Sequence, residues 1–226
     1  MIILSRDKFT NNNLNRSDKD ISINQSKLES FKPEEENHSV WLERKSFRIA
    51  LVSTFTALAI VLGYLLAYIP NIELFTLTLF LSGFILGKRD GMIVGILSSF
   101  IFCFFNPFGA SPLPLLAFQL MYYTLVGLLG ALAHQLLRKK TFFTPDEDLY
   151  KTPVMIIFAI IGAMITIFFQ IFSTLIDAIS FYGTFDRFLP IFISGIPFTV
   201  THIIGNTLGF IFILPGVIQL VYKMLY

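Results

Sequence analysis

Charge is scarce in this chain. Only 14% of its 226 residues are Asp, Glu, Lys or Arg, against roughly 25% in an average soluble domain. By contrast 54% are hydrophobic, with 26 phenylalanines and a mean hydropathy of +0.71. A soluble protein of this size has no room to hide so much apolar surface, so the composition calls for an integral membrane protein. Cys103 is the sole cysteine. It excludes an intramolecular disulfide and a cysteine-based metal cluster, and its setting in an apolar run points to packing. The three histidines, His38, His134 and His202, are scattered, whereas a zinc site needs at least three clustered ligands. No G-x-x-x-x-G-K-[ST] loop or other phosphate cradle is present, so the chain cannot hydrolyse ATP by itself. If it moves a substrate uphill, a partner must supply the energy. The opening MIILSRDKFTNNN carries too short an apolar run for a secretory core, so no cleaved signal peptide is expected. Nothing calls for a metal or cofactor.

What is there is uneven. Residues 1–44 are polar, with an asparagine cluster and the acidic run PEEEN. They bury too little to offset ordering entropy and are expected to form a disordered cytoplasmic tail. Apolar spans then alternate with short breaks. At about 1.5 Å rise per residue, a span needs roughly 20 residues. Six are expected: from about Phe47 to Ile69, Glu73 to Leu86, Gly91 to Phe105, Pro114 to Leu137, Pro153 to Ile179, and Phe188 to Leu214. Pro215 is expected to bend or end the last. The second and third are short and rely on local thinning or tight packing. Gly83 with Gly87, Gly91 with Gly95, Gly127 with Ala131, and Gly205 with Gly209 are small-residue pairs four apart that favour close helix approach.

The cations give an orientation. Arg44, Lys45, Arg48, Lys88, Arg89, Arg138, Lys139, Lys140, Lys151 and Lys223 fall at one end of the spans, and Arg187 at the other. The excess marks the cytoplasmic side and sets both termini there. Splitting the last run at Pro197 into a seventh span would strand Lys223 outside, so that count is rejected.

Polar side chains gather at the opposite end. In span five Thr166, Gln170, Ser173, Thr174 and Asp177 recur at intervals of three and four, one stripe of a helix. Thr199, His202 and Asn206 share a face of span six. At about 1.5 Å per residue, Gln170 and His202 come to similar depths, roughly 15 Å from the outer ends. Asn71 and Glu73 follow Pro70, Asn106 and Ser111 lie in the loop NPFGASPLP, and Gln119 with Tyr122 or Tyr123 sits in the outer half of span four. The cytoplasmic halves are nearly bare of such groups. A channel needs a polar path across the whole thickness, whereas a pocket needs one side only. Each residue also has a plainer reading. Gln170 could bond a neighbouring carbonyl, His202 and Asn206 could be a satisfied structural pair, Asp177 could be hydrated at the interface, and Glu73 could favour a helix N-terminus. Aromatic residues such as Phe108, Tyr122, Phe169, Tyr182 and Phe198 could stack on a flat ligand. The acidic bias of Glu73, Asp177 and Asp186, opposed by Arg187 alone, disfavours a multiply anionic one and favours a neutral or cationic one.

The helix ALVSTFTALAIVLG behind a basic stretch, then PNIELFT, the G…GKRDG…G turn, the NP-G loop and IPFTVTHIIGN on the last helix form an ordered set. Over residues 45 to 223 this pattern resembles the S components of energy-coupling factor (ECF) transporters, the substrate-capture subunits of prokaryotic vitamin importers. The resemblance implies that residues 45–226 form a six-helix transmembrane substrate-binding domain in the cell membrane. It also implies a pocket at the outer face for a small vitamin-like molecule, delivery with a T component and two ATPases, and release by toppling in the bilayer. The family's Ala-x-x-x-Ala docking surface maps to Ala50, Thr54 and Ala57, with Ser53 alongside; one position is threonine. A small-residue face packed inside the bundle is the other reading of that stripe. On the residues, the pocket would draw on Asn71, Glu73, Asn106, Gln119, Gln170, Thr174, Asp177, Thr199, His202 and Asn206. An intramembrane hydrolase is not expected: Ser194–Gly195 and His202 lie on one helix, and paired intramembrane glutamates are absent. A ligand-free cell-envelope scaffold is the alternative that composition leaves open.

Overall fold

A computed structural model of the protein describes residues 40–69 and 73–225. Most of the expected tail, with His38, lies outside the described residues, as does Asn71. Val40–Glu43 form a helical turn, so helix begins slightly before the expected end of the tail. The long apolar runs fold as α1 (Lys45–Leu66), α2 (Phe75–Leu86), α3 (Lys88–Phe104), α4 (Leu113–Leu137), α5 (Thr152–Tyr182) and α6 (Ile196–Leu225), with no strand among the described residues. Of these, α1, α4, α5 and α6 are long and apolar enough to cross a membrane. Large apolar side chains point outward along them, such as Leu65 on α1, Leu136 on α4, Ile160 on α5 and Phe212 on α6. That is the surface of a helical membrane protein.

The two short helices have a different task. All 12 residues of α2 are buried, as expected of a helix that is apolar on every side. At about 1.5 Å per residue it is only about 18 Å long, well short of a bilayer core. It is enclosed by α1, α3 and α4 and touches the second half of α6. Glycines make that enclosure possible. A Cβ on Gly83 would sit 1.7 Å from the Gly127 carbonyl oxygen, and one on Gly130 would sit 2.0 Å from that of Phe80. Gly91 and Gly95 likewise press against the backbones of Gly83 and Tyr123. Helices α2, α3 and α4 therefore meet main chain to main chain.

One expected pair has another explanation. Gly87 does not pack; it is the single residue between α2 and α3, with φ of 89°, and nothing lies within 4 Å of its Cβ position. The reversal needs a positive-φ, extended conformation, which glycine adopts without steric cost. Lys88, Arg89 and Asp90 belong to the first turn of α3 and not to a loop. Asp90 there accepts from Arg48 of α1, Nε at 2.8 Å and Nη2 at 2.6 Å. Gly209 meets Leu77 of α2 instead of serving a glycine pair.

The last expected span is also revised. Phe188–Ser194 is a separate seven-residue helix, preceded by a 3-10 turn at Phe185–Arg187 and broken at Gly195. Seven residues are too few to cross a bilayer, so the break adds no span. Pro197 then lies in the first turn of α6, where its missing N–H costs nothing. Pro215 does not end α6, which continues to Leu225. The preceding turn, Gly209–Ile213, widens to a π-helix in which the Leu214 N–H reaches the Gly209 carbonyl. A proline cannot donate to the carbonyl four residues back, and such a wide turn absorbs the mismatch. The Tyr150 hydroxyl donates to the Phe212 carbonyl at 2.7 Å, in space left by Gly216.

Candidate functional site

The seam between α5 and α6 runs in antiparallel register and changes character along its length. Gln170 faces His202, Thr166 faces Asn206, and Gly162 faces Phe210, each step being one helical turn. The first two rungs are polar and the third is apolar. Beyond it the Phe210 ring packs on Phe80, 5.2 Å away, while Phe84 packs on Phe158 and Phe143. This phenylalanine layer closes the bundle beneath the polar rungs.

His202 and Asn206 are the buried polar residues of α6. Gln170 Nε2 lies 2.8 Å from His202 Nδ1. With the amide assigned so that its nitrogen donates, Nδ1 accepts and Nε2 carries the ring proton. That nitrogen points at Glu73 Oε1, 3.2 Å away. The same carboxylate oxygen accepts from the Thr76 hydroxyl at 2.6 Å. Asn206 Nδ2 is 3.4 Å from His202 Nε2, a donor facing a donor, and gives its closer bond to Thr166 Oγ1 at 2.8 Å. The Thr166 hydroxyl passes its own proton to the Gly162 carbonyl at 2.9 Å. A carboxylate from the α1–α2 connection is thereby tied to α5 and α6.

Glu73 and His202 border a cavity of about 180 Å³. Its apolar wall comes from Gly63, Leu66, Ala67 and Ile69 at the end of α1 and from Phe102 of α3. Asn106 and Phe108 complete the described lining from the α3–α4 loop. Three expected site residues, Glu73, Asn106 and His202, thus share one cavity, and Gln170 supports it through His202. Asn106 has a loop role as well: its Oδ1 accepts from the Phe108 N–H at 2.9 Å.

Other expected residues stand apart. Asn206 and Thr166 form the rung below the cavity and do not line it. Gln119 is half-buried, and its Oε1 is buried with no hydrogen-bond partner among the described residues. Thr174, Asp177 and Thr199 are half-buried and outside the lining. Tyr122 and Phe169 pack with Phe118 and Tyr123, and the Tyr122 hydroxyl donates to the Ile165 carbonyl. Phe198 and Tyr182 face outward. Among aromatic candidates, only Phe108 lines the cavity.

Sequence reasoning missed Gly63 and Phe102. A Cβ on Gly63 would stand 2.8 Å from the Phe102 ring, which stacks on Phe75 at 4.5 Å. Nearby, the Tyr64 hydroxyl reaches the Ile101 and Phe105 carbonyls, fixing the end of α1 against α3. The signal was a lone glycine within the apolar first span. On α1 the buried face is Phe55, Ala59 and Gly63, while Ala50, Ser53, Thr54 and Ala57 are exposed. Among the described residues no group of three metal-ligating side chains is present. Comparisons of the chain with protein-family models, curated proteins and solved structures found no match.

Proposed function

We propose that this protein is the substrate-capture subunit of an ECF-type importer in a prokaryotic plasma membrane. In this reading it has six spans with both termini in the cytoplasm, binds a small water-soluble vitamin or related micronutrient from outside, and performs no catalysis. A T component and two ATPase subunits supply the energy.

The observation that carries the reading is the Glu73–His202–Gln170 chain at the wall of a cavity confined to one end of the bundle. Polar groups in a bilayer are costly and collect where they serve a site. The phenylalanine layer beneath argues against a channel, which would need polar groups throughout. Lysine and arginine crowd the other end of the helices, as expected for the cytoplasmic side. The exposed stripe of Ala50, Ser53, Thr54 and Ala57 suits docking of a partner helix, because it is not used inside the bundle.

The test begins with protein purified in mild detergent and then denatured. Mass spectrometry should find a released small molecule, and a T component with ATPases should co-purify. An empty preparation without those partners would favour a ligand-free scaffold and defeat the proposal.

A further inference from the structure

The cavity carries information on the charge of its occupant. Glu73 uses one carboxylate oxygen, Oε1, for both Thr76 and His202. Among the described residues no donor reaches Oε2. With Gln170 donating to Nδ1, the imidazole offers Glu73 a single N–H through Nε2. No lysine or arginine is among the described lining residues. The Glu73 side chain is 20% exposed at the cavity, so its unshared oxygen is open to a ligand that brings a positive charge or a strong donor.

We infer that the cavity selects a small organic cation, an ammonium or protonated amine, with Glu73 Oε2 as its acceptor. This rests on the substrate-capture reading and narrows its substrate class. Size supports it: an apolar cavity of about 150 Å³ accommodates benzene, so about 180 Å³ admits one ring with a short arm. The walls agree. Phe102, stacked on Phe75 and packed against Gly63, adds an aromatic ring to the lining. Phe108, edge-on to Tyr68 at 5.7 Å, adds a second ring to the lining. Asn106 spends its carbonyl oxygen on the Phe108 N–H, which leaves its amide nitrogen to donate to a neutral acceptor on the same ligand.

Three near-isosteric probes test this on full-length protein in detergent: benzylamine, benzyl alcohol and benzoate. Benzylamine should raise the melting temperature saturably, while the alcohol and the acid should not. Glu73→Gln should weaken benzylamine binding about tenfold or more, the loss of a charge-assisted bond. If that variant fails to fold, the rank order of the three probes on the wild-type protein decides alone. Equal or stronger binding of the alcohol or acid overturns the cation class, as does undiminished benzylamine binding by a folded Glu73→Gln. No shift with any probe, in a protein that still releases a small molecule on denaturation, overturns the cation class and leaves substrate capture standing. No shift, no released molecule and no partners would sink both.

Discussion

His202 is held at both ring nitrogens, by Gln170 from α5 and Glu73 from the α1–α2 connection. Replacing it with alanine frees the carboxylate and the amide together. His202→Ala is expected to weaken ligand binding about tenfold, since the Glu73 carboxylate that faces the ligand is no longer held in place, while expression and insertion stay near normal. Asn206→Ala removes one interhelical bond. Such bonds average about 0.6 kcal/mol in membrane bundles, so a small drop in melting temperature and weaker binding are expected. Misfolding of both variants, with affinity intact in whatever folds, would make the pair structural. The likeness of depth between Gln170 and His202 was legible because two antiparallel helices with a constant rise must match in register. The link to Glu73 was not, since it joins residues 129 apart in sequence. Asp177 and Thr174 share the Gln170 stripe but not its network. One step outward in the register, Thr174 comes level with Phe198, which is 60% exposed and turned away.

At the scale of elements, two glycines test two different causes. Gly83→Ala drives a Cβ into the Gly127 carbonyl, so α2 and α4 must part, and little folded protein should be recovered. Gly87→Ala meets no neighbour and costs only the positive-φ backbone, about 1–3 kcal/mol. It should fold with a modestly lower melting temperature in the same detergent. Equal tolerance of both changes would refute the main-chain contact. Sequence spacing alone treated Gly83 and Gly87 alike, because a period of four does not say whether a residue is inside a helix or at its end. The exposed stripe of α1 gives a separate test. Ala57→Leu should abolish uptake in cells while ligand binding by the purified subunit is unchanged, because the added bulk stands outside the bundle. Uptake at the normal rate would remove α1 from docking.

For the whole molecule, the asymmetry of charge predicts an orientation that cysteine labelling can read. Cys103 is only 2% exposed, so the natural protein gives little background. In intact cells a membrane-impermeant maleimide should label Arg187→Cys and spare Lys139→Cys, both of which replace exposed residues. Labelling of Lys139→Cys alone would invert the arrangement and turn the cavity to the cytoplasm.

The sequence by itself determined that the chain is helical and apolar enough for a membrane, because composition and period act locally and sum along the chain. It also determined that polar residues concentrate toward one end of the runs. Only the tertiary structure decided that α2 is enclosed on every side, that α6 passes through Pro215 by way of a π-turn, and that Glu73 meets His202. Those outcomes depend on which backbones glycine lets touch and on contacts between residues far apart in the chain, which no local pattern records.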